Sequence, residues 1–321
     1  MDVLKTQPVA KQEPTPEFDR GCVEVIKSWR EGQLTFREAA ASLTQQLQQA
    51  IATGHLANQG RAEQVLGVLQ GQRGNLESSL YHLGRARNFY QQAGNEIMVT
   101  HIDMDRGVIY SLRGDLTVGL ELFRSIYQIA EAAGDAFLQS LASHNAGTNL
   151  HELKQYTAAR PAYERALELT EQWQGNAHQK NIHTCNIHWR LAMLYLDLDD
   201  PEAAWRHVLI AQEIADQNDL LLLQGYVYRS LARLVTELAP PPNLTLSNNP
   251  DEYFQKALAA FQTLSAETDI AQTIFYYACS LAKRGDRLAA MRKFQQAMLI
   301  YNRLGMLRDV ALATEAQLGF A

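Results

Sequence analysis

Three cysteines in 321 residues, at positions 22, 185 and 279, are too few and too scattered for a disulfide framework. The odd count points to a reducing compartment, and the cytoplasm is the expected location. Long apolar runs are also missing, and nothing approaches the ~18 residues of a membrane-spanning helix. Positive charge is not in surplus: 29 lysines and arginines face 35 aspartates and glutamates, for a net charge of -6. A nucleic-acid partner needs a basic face to replace phosphate counterions, so that class is not expected, and neither is a membrane. Catalytic signatures are absent as well. There is no G-x-x-x-x-G-K-[ST] phosphate loop, no G-x-S-x-G elbow and no H-E-x-x-H. With no acid–base or nucleophile constellation, the chain reads as non-enzymatic, without cofactor or metal.

What is present is helical patterning at a fixed long period. In "YTAARPAYERAL" (156–167) the residues Ala159, Tyr163 and Ala166 follow one another at steps of four and three. The same spacing recurs as Ala39–Leu43–Gln46, Ser79–Leu83–Ala86, Gly119–Phe123–Ile126, Ala204–Val208–Ala211 and Ala290–Phe294–Ala297, with Phe254 and Ala257 in one more copy. The closing positions 46, 86, 126, 166, 211, 257 and 297 are spaced by 40 residues, except where "QGNAHQKN" (174–181) and "APPPNLTLSNNP" (239–250) are inserted. A second small residue stands 19 earlier in most copies: Gly67, Gly107, Gly147, Ala192 and Ala278, with Ala232 displaced by the longer insertion. Turn signals such as "QRGN", "LRGD" and "KRGD" lie between. Each repeat is therefore two helices joined by a tight turn, and stacking its neighbours buries an apolar stripe that one hairpin cannot bury alone. Pro161 falls in or just past the first turn of its helix, where little or no hydrogen bonding is forfeited.

The segments "GVIYSLRGDLTVGLELF", "LAMLYLDLDDPEAAWRHVLIA" and "YYACSLAKRGDRLAAMRKFQQAM" resemble the tetratricopeptide repeat, in a longer-repeat form similar to bacterial activator sensor regions and spindle-orientation adaptors. The resemblance implies an all-α solenoid, a right-handed superhelix of about seven helix-turn-helix units over residues 17–305. A flexible arm at 1–16 precedes it and a capping helix at 306–321 follows. It also implies that the first helix of each repeat lines a concave groove, at fixed offsets from the small residue. Those offsets select His144, His151, Trp189, Met193, Arg229, Arg233 and Lys283, with Tyr226 nearby. Aromatic anchors beside arginines are what an interface hot spot contains. Arg229 and Arg233, four apart, are placed to grip a carboxylate or phosphate together. The expected partner is another protein, entering as a peptide or helix of acidic character; the alternative is a small-effector sensor acting on a partner protein.

His178, His183 and His188 are spaced by five, with His178 in the insertion. Five residues is ~140° beyond a full helical turn, so the three do not share a face and no metal site is expected.

Overall fold

The computed structural model describes residues 11–30, 33–241, 246–264 and 266–320. Among them the chain forms fifteen α-helices and no strand. Seven consecutive pairs account for fourteen: α1 (Pro16–Arg30) with α2 (Phe36–Ala52), α3 (Leu56–Gln72) with α4 (Leu76–Gln92), α5 (Glu96–Arg113) with α6 (Leu116–Ala133), and α7 (Ala136–Glu152) with α8 (Tyr156–Gln172). Then come α9 (Ala177–Asp197) with α10 (Pro201–Gln217), α11 (Leu221–Glu237) with α12 (Pro250–Thr263), and α13 (Glu267–Lys283) with α14 (Arg287–Arg303). A single helix, α15 (Leu307–Phe320), follows. This is the repeat architecture expected of an α-solenoid. It divides into two compact units, residues 1–129 and 130–321.

Sterics explain the small residues. A Cβ on Gly107 would lie 2.5 Å from the Phe123 ring, and one on Gly147 3.0 Å from Tyr163. The two helices of a pair close on each other at these points, so the aromatic knob of the second fills the gap left by the first. A second such contact lies seven residues earlier. Gly60 faces Tyr90 and Gly225 faces Phe261, and Ala271 shares a buried cluster with Tyr301. Where the first residue is larger, the partner shrinks and polar atoms meet: Ser140 bonds Thr170, and the Cys185 thiol donates to the Ala211 carbonyl. Volume is thus conserved across the contact, as close packing requires.

The helices end every twenty residues with similar regularity. Positive φ occurs at Gly54, Gly74, Gly94, Gly114 and Gly134, continues at Lys154, Asp199 and Asp219, and returns at Gly285 and Gly305. Each is the left-handed residue that closes a helix. At Gly74 the next amide, Asn75 N–H, reaches back to the Gln70 carbonyl at 3.0 Å. The residue after the turn often opens the next helix. Asn95, Asp135, Asp200 and Asp286 each accept an amide of the following first turn on their side chains.

Three details differ from the sequence reading. Pro161 is the sixth residue of α8, so the bond its missing N–H would have made to the Thr157 carbonyl is forfeited; residue 157 is exposed, and water can serve that carbonyl. The first insertion is only partly loop, because α9 begins at Ala177 and His178 sits in its first turn. Within the stretch read as a flexible arm, residues 1–10 lie outside the described residues. Gln12 N–H bonds the Ala93 carbonyl at 2.9 Å, and Thr15 N–H bonds Asn58 Oδ1 at 2.9 Å. The Asn95 amide holds both the Gln12 carbonyl and the Glu13 carboxylate.

Candidate functional site

All eight groove positions selected from sequence fall in the second unit, on α7, α9, α11 and α13. The structure separates them by depth. Trp189, Met193 and Arg229 are buried. Trp189 stacks on Tyr226 across adjacent repeats, with ring centroids 5.3 Å apart and planes 18° apart, and its indole N–H donates to Asn186 Oδ1 at 3.2 Å. These two rings tie α9 to α11.

The Arg229–Arg233 pair divides. The Arg229 guanidinium lies over the rings of Tyr226, Phe261 and Tyr276 at 5.2–5.8 Å, with Asp269 Oδ1 3.9 Å away and Gln272 Oε1 at 3.4 Å. Burying a guanidinium is costly unless it is paired, and here π faces and one carboxylate do the pairing. Arg229 is thus an internal strut between α11 and α13. Arg233 is half-buried, sits 4.5 Å over the Tyr276 ring, and has no carboxylate within 4.0 Å among the described residues. Farther along the groove helices, Lys283 is ion-paired with Glu237, and His151 Nε2 lies 2.7 Å from Asp197 Oδ2.

His144 is linked to the interior. Its ring lies 5.4 Å from that of His183 and 5.9 Å from that of Tyr163, and its Nε2 is buried without a hydrogen-bond partner among the described residues. Burial, reinforced by the charges of His183 and Arg190, holds its pKa well below the usual histidine value. His183, buried, meets Ser140 Oγ at 2.8 Å. Ser140 donates to the Ala166 carbonyl, so its oxygen is free to accept the His183 Nε2 proton. Burial lowers the His183 pKa to about 4. His188 and His207 meet through their Nδ1 atoms at 2.8 Å, a bond that needs one ring to donate and the other to accept; burial lowers both to about 4. His178, in the first turn of α9, is exposed. The three histidines of the H-x4-H-x4-H run therefore go three separate ways.

The sequence reading missed the residue at the centre. Arg190 is half-buried, its guanidinium 4.0 Å from the Trp189 ring centroid. Its charge is felt by His144 on α7, Tyr226 on α11 and Asp269 on α13, so it stands among the first helices of three repeats. No carboxylate lies within 4.0 Å of it among the described residues. Asp269 is hydrogen-bonded to the Tyr226 hydroxyl and serves Arg229; burial raises its pKa against the pull of Arg229, Tyr226 and Arg190. Two guanidiniums thus share one half-buried carboxylate, and the cluster carries a net positive charge in a poorly solvated place. The available signal was positional. Arg190 stands two before Ala192, and the same offset gives Asp105 and Tyr276, each of which proves to be a partner in a buried or groove contact.

No helix is long and apolar enough to cross a membrane among the described residues, and no group of three metal-ligating side chains is gathered there. Residues 99–172 match the tetratricopeptide repeat family. No curated protein is matched by the sequence. Similar solved structures include the apo form of RapI, at 12% identity and TM-score 0.64 over 90% of this chain and 99% of that one. A Rap protein complexed with Competence and Sporulation Factor is similar at 10% identity and TM-score 0.61, covering 96% and 98%. The Rap conjugation gene regulator of the plasmid pLS20, in complex with a Phr peptide, is similar at 11% and 0.61, covering 96% and 97%. At these identities the likeness is one of fold.

Proposed function

We propose that this tetratricopeptide-type repeat protein is a non-enzymatic, cytoplasmic interaction module that takes a peptide or helical segment of a partner protein along the inner helices of its second unit. The observation that carries the reading is the pair of half-buried arginines, Arg190 and Arg233, that lack an ion-pair partner among the described residues and stand beside a stacked Trp189–Tyr226 wall. A cation left unmatched where water is scarce favours an anionic ligand group. The aromatic wall favours an apolar side chain next to it. The ligand is therefore a segment with a carboxylate, from an acidic side chain or a chain end, adjoining an apolar anchor. Two of the similar structures hold ligands, one of them named as a peptide, which supports a peptide in this fold.

Selection from a random displayed peptide library on the intact chain should enrich acidic–apolar sequences. Arg190→Glu with Arg233→Glu should weaken the selected peptide at least about 100-fold by turning attraction into repulsion. The outer-helix pair Arg292→Glu with Lys293→Glu should leave it unchanged. Enrichment of basic peptides, or loss with the outer pair alone, would overturn the reading.

A further inference from the structure

The last helix has an uncovered face with a pattern of its own. α15 packs on the preceding pair through Val310, Ala313, Ala316 and Phe320, and only Ala313 is fully buried. One repeat earlier, the face of α13 formed by Ala271, Ile274 and Ala278 is buried against Ala297, Tyr301 and Phe294 of α14. Forty residues on, the equivalent positions are Ala311, Thr314 and Leu318, all exposed, with Leu307 one turn before them. Leu307 is 74% and Leu318 72% exposed. At the edge of this face the Thr314 hydroxyl donates to Met298 Sδ of α14 at 3.3 Å, and the stripe itself stays exposed.

We propose that α15 pairs antiparallel with α15 of a second copy of this chain. The stripe Leu307–Ala311–Thr314–Leu318 has steps of four, three and four, and it reads large–small–small–large. Reversed against itself it sets Leu307 opposite Leu318 and Ala311 opposite Thr314, so that both layers fill without a clash. Arg308 and Glu315 flank the same edge, seven residues apart, with opposite charge. In the antiparallel pair each Arg308 lies roughly 3 Å along the axis from Glu315 of the other copy, at 1.5 Å per residue, and twofold symmetry makes that contact twice. A parallel arrangement would place like charges together. The stripe is a small interface, so association belongs in the range of roughly 10–100 µM. The proposal is independent of the groove and its ligand.

Sedimentation velocity of the full chain across that range should show the mass rising from 36.1 kDa toward twice that value. Leu307→Glu with Leu318→Glu should abolish the rise and leave the far-UV circular dichroism spectrum unchanged, because neither side chain is in the core. Arg308→Glu alone and Glu315→Arg alone should each weaken association about tenfold or more. The two together should restore it, because a swap on both sides of a self-pairing is silent. A chain that stays monomeric throughout the range would overturn the proposal. So would a dimer insensitive to the leucine changes, or one that the double swap fails to rescue, the result expected if another face or another orientation is used.

Discussion

The two units bury charge in opposite ways. In the first, Glu63 and Asp103 have cations beside them. Glu63, with no exposed surface, meets His82 Nδ1 at 2.7 Å and Arg85 Nε at 2.9 Å. Asp103 is held by Arg87 and Arg106, each at 2.8 Å; Asp105 is the exception, accepting only from the Gln64 amide among the described residues, at 3.0 Å, and burial raises its pKa. In the second unit Arg190 and Arg233 have no carboxylate within 4.0 Å among the described residues, and burial pushes the buried His183 and the half-buried His144, His188 and His207 toward neutrality. The turns differ too. All four left-handed positions described in the first unit are glycine, whereas Lys154, Asp199 and Asp219 take that conformation in the second. Matched charge and relaxed turns suit a scaffold, while unmatched charge and strained turns gather where a protein acts.

The largest test of that contrast is a pair of deletions. Glu63→Ala removes the one carboxylate that His82 and Arg85 share and should cost about 3 kcal/mol of stability. Arg190→Ala removes a cation with no carboxylate partner and should cost no more than about 1 kcal/mol, the scale of a cation–π contact. Chemical denaturation of both variants reads the difference directly. If Arg190→Ala is as destabilising as Glu63→Ala, then Arg190 is a structural strut and the distinction between the units collapses.

Acid should separate the units next. Burial lowers His183, His188 and His207 from the ordinary 6.5 to about 4 in the fold, so between these values the unfolded chain binds more protons. Stability contributed by the neutral ring is therefore complete above about pH 6.5 and lost as the pH falls toward 4. For His183, the most enclosed of the three, the loss is on the order of 3 kcal/mol, at 1.36 kcal/mol per pH unit. Protonation also makes both members of the His188–His207 bond donors and breaks it. Hydrogen exchange at pH 7 and pH 5 should show α7–α10 losing protection while α3–α5 change little, and equal loss in both would mean that the buried rings are not the acid-sensitive element. His188→Asn should blunt the effect without changing the neutral-pH fold.

Much of this was legible in the sequence for a physical reason. A solenoid contact is made at a fixed offset, so Gly107–Phe123 and Gly147–Tyr163 appear in the chain as a spacing of sixteen repeated forty residues later. The groove was less legible. Repeat offsets say which helix face a residue occupies, but not how deep it sits. Arg229 and Arg233 share a face and both lie against Tyr276, yet Tyr226 and Phe261 enclose only the first. Arg190 stands out only because Asp269, 79 positions away, is already committed to Arg229 and Tyr226. That arithmetic of charge has no trace in local spacing. The N-terminal contacts of Gln12 and Thr15 were hidden likewise, because a proline-bearing segment with no periodicity gives no sign of the backbone partners it finds at Ala93 and Asn58.

The smallest effect concerns the turns. Lys154 has φ of 59° and ends α7 where the other repeats of this length place glycine. A side chain with a Cβ in that conformation is strained by roughly 1 kcal/mol relative to glycine. Glycine recovers part of that while giving the unfolded chain more freedom to lose. Lys154 is exposed and makes no ion pair among the described residues, so little else changes on its removal. Lys154→Gly should therefore stabilise the second unit, by up to about 1 kcal/mol, visible as slower exchange of the amides around the α7–α8 turn. The reciprocal change in the first unit, Gly74→Ala at φ of 82°, should destabilise by a similar amount. Asp199→Gly and Asp219→Gly should gain less than Lys154→Gly, because aspartate tolerates the left-handed region better than lysine does. If Lys154→Gly gains nothing while Gly74→Ala still loses, the α7–α8 turn is held by contacts that offset its strain, and the turns no longer distinguish the second unit from the first.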